Sequence, residues 1–216
     1  MIDQAAADYR SRGYAHLPDF VPREVCTAIL ARMKTDLARQ GMQLASLEQE
    51  GPLLRSAAPE LYGHHYPMFA SFLWGMTPAV EQLTGLELLP TYAYFRLYRQ
   101  GDICRVHGDR PACEHSLSLT LGYSDEIAWP LEVSTQRIET PFARIDDDFA
   151  LAEVAGSVAM QAGDAVLYQG VHHHHGRTMP NPNRWSAHLF LHWVARDGPY
   201  AGHAFDGQPP PTQVDF

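Results

Sequence analysis

A chain of 216 residues is long enough for one hydrophobic core and short for two full domains, so residues 1–216 read as a single domain. Hydrophobic residues make up 45% and charged residues 19%, and no apolar run approaches the ~18 residues that span a bilayer, which predicts a soluble protein without a membrane partner. A net charge of -9 argues against a nucleic-acid partner, because such proteins neutralise phosphates with clustered Lys and Arg, and leaves small molecules or peptides as the expected partners.

The N-terminus M-I-D-Q carries an acid where a secretory signal has a basic start and an apolar stretch. Three scattered cysteines, Cys26, Cys104 and Cys113, make neither a disulfide framework nor a thiolate zinc site; both features fit the cytoplasm. Residues 3–11 predict a short helix and G-Y-A-H-L-P-D-F (13–20) a short strand. A helix then opens at Pro22, with Val25, Ile29, Leu30 and Met33 at helical spacing up to about Gln40. Between 41 and 88 the pattern is weaker, and A-S-F-L-W-G-M-T-P-A-V-E-Q-L-T-G-L suggests one more helix interrupted by Gly and Pro. The segment 1–88 therefore reads as helical support.

From Leu89 to about 196 the texture changes to seven or more short alternating runs separated by Gly, Asp and Pro, among them T-Y-A-Y-F-R-L-Y-R, H-S-L-S-L-T-L-G-Y and R-W-S-A-H-L-F-L-H-W-V. Such spacing predicts a sandwich or barrel of two sheets. Residues 207–216 form a Pro-rich tail.

H-G-D, His107 to Asp109, ends one of these runs. Positions i and i+2 of a strand share a face, so His107 and Asp109 can grip one metal ion as a nitrogen and oxygen pair. With 12 histidines about one H-x-D is expected by chance, so its position relative to other residues carries the weight. Downstream, G-D-A-V-L-Y-Q-G leads into V-H-H-H-H-G-R (171–177). A third ligand from this run completes two histidines and a carboxylate on one side of an iron ion, leaving the other positions open. At the head of the last run, alternation puts Arg184, Ser186, His188 and Phe190 on one face, where the Arg184 fork and the Ser186 hydroxyl are suited to clasp a carboxylate.

These motifs resemble the iron(II)- and 2-oxoglutarate-dependent oxygenases, particularly the prolyl-hydroxylase-like branch, over roughly residues 90–195. The resemblance implies a double-stranded β-helix (jelly roll) that is mainly β with supporting helices. It also implies iron(II), 2-oxoglutarate as cosubstrate and O2, and hydroxylation of an unactivated C–H bond in a small molecule, amino acid or peptidyl residue. In the family the second histidine precedes the cosubstrate-binding basic residue by nine or ten positions. Counting back from Arg184 reaches His175, with His174 the alternative, and leaves His172, His173 and His174 as a polar loop at the mouth of the site. The implied ligands are thus His107, Asp109 and His175, and the implied cosubstrate residues are Arg184, Ser186 and Tyr98, with Tyr94 sharing the parity of Tyr98. Arg105 shares parity with His107 and Asp109, which makes it a candidate for an anionic group of the substrate. Two other readings are a non-catalytic β-helix module that binds a ligand or partner, and a zinc hydrolase, which has no use for Arg184 and Ser186 at their spacing.

Overall fold

The computed structural model describes residues 2–139, 144–208 and 213. Among the described residues three α-helices, α1 (Ile2–Arg12), α2 (Arg23–Arg39) and α3 (Pro67–Thr84), accompany twelve strands. The strands are β1 (Tyr14–Leu17), β2 (Glu48–Gln49), β3 (Ala58–Tyr62), β4 (Leu88–Arg99), β5 (Cys104–His107), β6 (His115–Tyr123), β7 (Leu131–Arg137), β8 (Ile145–Asp146), β9 (Ala155–Val158), β10 (Ala165–Tyr168), β11 (His173–Arg177) and β12 (Trp185–Ala195). They form two antiparallel sheets, a larger one ordered β1-β10-β6-β12-β4-β3-β2 and a smaller one ordered β8-β5-β11-β7-β9. This is the jelly-roll arrangement expected from the spacing of the alternating runs.

Alternation along the strands of the larger sheet decides what faces where. In β6 every residue is buried, yet Leu117, Leu119 and Leu121 join the core beneath the helices, while Ser116, Ser118 and Thr120 occupy the alternate positions. In β12 Leu189, Leu191 and Trp193 belong to that core, and Ser186, His188, Phe190 and His192 alternate with them. The helices close it with Tyr9 of α1, Ile29 and Met33 of α2, and Phe69 and Leu73 of α3. A second apolar cluster of Tyr14, Leu131, Val133, Val158, Met160, Val166 and Tyr168 spans the two sheets. The space between the sheets is therefore apolar on one side and lined by polar and aromatic side chains on the other.

The segment 1–88 is less purely helical than its sequence suggests. The helices over 3–11, from Pro22 and around 70–86 are present; α3 starts with Pro67 in its first turn and stops at Gly85, whose φ of 76° suits glycine. In addition β3 joins β4 in the larger sheet, in the register Glu60 opposite Arg96 and Tyr62 opposite Tyr94. Its sequence, A-P-E-L-Y, hides it, because Glu60 is buried only where Arg96 meets it with Nη2 at 2.6 Å. The Pro-rich tail lies outside the described residues apart from 207, 208 and 213. Among the described residues no helix is long and apolar enough to cross a membrane.

Candidate metal centre

The smaller sheet brings the two histidines of the sequence motif face to face. Strand β11 pairs with β5 so that His175 lies opposite His107, and their ring centroids are 4.4 Å apart. Each ring is anchored at Nδ1, His107 to the carbonyl of Arg105 at 2.7 Å and His175 to the carbonyl of His173 at 2.9 Å. Since a carbonyl only accepts, Nδ1 carries the hydrogen in both rings and Nε2 presents a lone pair. The two Nε2 atoms converge on Asp109, at 3.4 Å from Oδ1 and 3.5 Å from Oδ2. The Asp109 backbone is itself fixed, its N–H donating to the carbonyl of Gly170 at 2.8 Å.

The electrostatics suit a cation. Burial alone raises the Asp109 carboxyl, but His175 and His107 beside it outweigh that and hold it well below the usual carboxylate range. His107 is pushed down by burial and by His175, which keeps its ring neutral. Burial also lowers His175, yet Asp109 more than offsets this and raises it. Two imidazole lone pairs and an ionised carboxylate, all within 4.8 Å of one another, form a donor set that fits a divalent iron ion. Hydrogen-bonded Nδ1 atoms that fix the rings are the usual support for such ligands.

The cavity beside this triad is lined by Tyr94, Arg96, Tyr98, Tyr168, Arg177 and His188's neighbour Phe190. Arg177 is 1% exposed, lies over the Trp129 ring at 4.8 Å and donates to the Trp129 carbonyl. Its other contacts are the Met160 sulfur at 3.7 Å and Nδ1 of His188 at 3.4 Å, and among the described residues no carboxylate pairs with it. Arg96, by contrast, is committed to Glu60 and donates to the Tyr98 hydroxyl at 3.0 Å. His188 is fully buried and its Nε2 has no partner among the described residues. Burial, Arg177 and Arg96 keep its ring neutral, far below the ordinary histidine range.

No protein-family model matches the chain, and no curated protein matches it. Solved structures do. A Pseudomonas putida prolyl-4-hydroxylase superposes with a TM-score of 0.58 at 19% identity, over 92% of this chain and 100% of that one. The non-heme α-ketoglutarate-dependent epimerase SnoN from nogalamycin biosynthesis does so with a TM-score of 0.65 at 14% identity, over 99% and 91%. HygX from Streptomyces hygroscopicus, with nickel, 2-oxoglutarate and hygromycin B bound, gives 0.65 at 10% identity, over 90% and 87%. The chain has the fold of the iron(II)/2-oxoglutarate-dependent oxygenases. These structures support the jelly-roll fold that the resemblance implies.

Within this oxygenase fold several residues stand elsewhere than their spacing suggests. Arg184 precedes β12 and points to solvent, its side chain 74% exposed and its Nε 3.4 Å from Asp125. The turn before it explains this: Asn181 Oδ1 accepts from the N–H of Asn183 at 3.1 Å and from the Ser186 hydroxyl at 2.7 Å, so the strand begins only at Trp185. Ser186 is buried but spends its hydroxyl on Asn181. Tyr98 does line the cavity, as does Tyr94. Arg105 is turned away from it, with Nε 2.6 Å from Asp147 and Nη1 bonded to the carbonyls of Pro52 and Leu54. A bulge is the reason. Between His175 and Arg177 on β11 the partner residues are His107 and Cys104, three apart instead of two, so Cys104 and His107 both reach the cavity and Arg105 loses the shared face.

Of the three histidines expected in a polar loop, His172 does lie in a turn and is half-buried, whereas the next two do not. His173 and His174 belong to β11 and are 4% and 7% exposed. His173 donates from Nδ1 to the Ser134 carbonyl at 2.9 Å and its ring lies against Gly13, while His174 meets Glu153 at 2.8 Å. Only His175 of the run joins the cluster with His107 and Asp109 among the described residues. The residues that spacing missed are Arg177 and His188. Arg177 was open to discovery as the residue two beyond His175 on the same strand face.

Proposed function

We propose that residues 1–216 act as one oxygenase domain that uses iron(II), 2-oxoglutarate and O2 to hydroxylate a C–H bond of a small molecule, amino acid or peptidyl residue. The observation that carries this reading is the convergence of the His107 and His175 Nε2 atoms on Asp109, inside a cavity that also holds a buried arginine without a carboxylate partner. His107, Asp109 and His175 would hold the metal. When bound, iron with 2-oxoglutarate supplies an oxidant strong enough for an unactivated C–H bond, and succinate and carbon dioxide leave.

The chain's own residues bind and orient. An isolated buried guanidinium is costly, and an anionic ligand offsets that cost. Arg177 therefore replaces Arg184 as the residue proposed for the far carboxylate of the cosubstrate. Tyr98 accepts from Arg96, which leaves its own hydrogen free for the same carboxylate. The unpartnered Nε2 of the neutral His188, whose ring lies 5.7 Å from that of Tyr98, adds a further polar contact. On the other side of the cavity Tyr62, Tyr92 and Tyr94 stand nearly parallel, with Tyr62 and Tyr94 centroids 5.3 Å apart. This aromatic wall borders a 600 Å³ cleft lined by Glu60, Tyr62, His64 and Gln49, which we assign to the approach of the substrate. A small-molecule substrate is favoured by the hygromycin B bound to HygX on the same fold.

The test is succinate production by the purified chain. It should require both added iron(II) and 2-oxoglutarate and vanish in Asp109→Ala. No succinate under any metal would favour a non-catalytic binding module, and zinc-dependent hydrolysis without succinate would favour the hydrolase.

A further inference from the structure

A second donor set lies beside the triad and shares one of its members. Cys113, His192 and Asp109 each offer a ligand atom within 4.8 Å of the others. Cys113, on the short turn before β6, is a free cysteine 1% exposed, and its Sγ has the Tyr92 hydroxyl 3.1 Å away. His192 is 2% exposed on the cavity side of β12. Its Nδ1 meets the Ser116 hydroxyl at 2.8 Å, whereas its Nε2 is buried with no hydrogen-bond partner among the described residues. A ring nitrogen sealed from water and left without a partner is unfavourable, and a bound cation offsets that. The His192 ring stands within reach of a thiol and a carboxylate, and the three side chains together make a ligand set.

We infer that Cys113, His192 and Asp109 form a second divalent-metal site, selective for a thiophilic ion such as zinc or cobalt(II), with Asp109 bridging to the ion held by His107 and His175. The inference rests on the proposed triad only through that bridge. Thiolate and imidazole together select zinc-like ions over magnesium or calcium, which take oxygen ligands. Binding forms a metal–sulfur bond and releases the Cys113 proton to solvent, with no change in oxidation state. Three protein ligands leave a fourth position for water. Tyr92, whose ring lies 4.5 Å from that of His192 and whose hydroxyl touches the sulfur, positions both side chains. Because one carboxylate then serves two cations, zinc at the second site weakens iron binding at the first.

Anaerobic titration of the full-length, metal-stripped chain with cobalt(II) tests this without turnover. The unsubstituted chain should take up two equivalents and develop the near-ultraviolet charge-transfer band of a thiolate bound to cobalt. Cys113→Ser should take up one equivalent and show no band. His192→Gln should do the same and serves where the serine variant fails to fold. His107→Ala should lose the other equivalent but keep the band, which separates failure of the triad from failure of this site. Uptake of one equivalent without a band, or a band that survives Cys113→Ser, would overturn the proposal.

Discussion

His175 stands directly opposite His107 in the ladder between β11 and β5, and Gly176 separates it from the buried Arg177. The glycine is required by contact. A Cβ at Gly176 would lie 2.8 Å from the carbonyl oxygen of Cys104 and 3.0 Å from the amide nitrogen of Val106, both backbone atoms of the neighbouring strand. The close approach of β11 to β5 is thus what sets the separation of the two imidazoles.

Gly176→Ala should therefore disturb the metal centre without touching a ligand. Backbone atoms cannot rotate aside, so the strands must part by several tenths of an ångström, at a cost of roughly 1–3 kcal/mol. Iron affinity measured by equilibrium dialysis should fall at least tenfold, alongside a lower midpoint in urea unfolding. Unchanged iron affinity would mean that β5 and β11 tolerate the wider spacing.

Replacing Arg177 by Met should raise the 2-oxoglutarate concentration needed for half-maximal succinate formation by roughly 10- to 100-fold, the loss expected for a charge-assisted fork of about 1.5–3 kcal/mol. Iron binding should be retained. Arg184→Ala should leave the 2-oxoglutarate dependence within twofold, since that side chain lies in solvent beside Asp125. The opposite pattern would return the cosubstrate to Arg184.

Much of this site was legible in the sequence because strand parity is local. His107 and Asp109 follow from i, i+2 spacing, whereas His175 follows only from the interval that the family resemblance implies. Interval counting then failed at Arg184, because Asn181 holds the turn and delays the strand by one residue, which no periodicity records. Parity failed at Arg105, because the extra residue of a bulge reverses the side that it faces. The histidine run misled for a different reason. The three histidines 172–174 read as a loop, yet the partners of His173 and His174, Ser134 and Glu153, are distant in sequence, and burial of a polar group is decided by such partners. Likewise A-P-E-L-Y does not read as a strand until Arg96 stands opposite Glu60.

His174 is expected to matter for stability and not for the metal. Its Nδ1 lies 2.8 Å from Glu153 Oε1, and both side chains are under 10% exposed. His174→Ala should leave Glu153 with Arg144 as its remaining partner, at 3.4 Å, and destabilise the fold by about 1–3 kcal/mol in urea unfolding. Iron content should stay at that of the unsubstituted chain, whereas His175→Ala should lose it. Iron loss in His174→Ala would make His174 the third ligand.

The last prediction concerns acid stability and a histidine away from the triad. Tyr9 Oη lies 2.5 Å from His115 Nδ1, joining α1 to the start of β6. Burial, with His172 as a smaller influence, pushes the His115 ring down to about 4 from its ordinary 6.5. Tyr9 can donate to Nδ1 of the neutral ring or accept from Nδ1 of the protonated one, so what acid brings is a positive charge on a ring sealed from water, which burial disfavours. Between pH 6.5 and 4 the unfolded chain carries the proton and the folded chain does not, so the unfolded state binds more protons and stability falls as pH falls. The contribution is fully present above about pH 6.5, is lost progressively down to about 4, and changes no further below that. A difference of two to three pH units corresponds to roughly 3 kcal/mol. His115→Gln keeps an acceptor for Tyr9 and removes the titration. Unfolding free energies from urea at pH 7 and pH 4.5 should therefore differ less in the variant than in the unsubstituted chain, by about 2–3 kcal/mol. Other buried histidines, such as His192 at about 4, act in the same direction and keep some slope in both proteins. Equal slopes would mean that His115 is already protonated, or solvated, in the folded chain.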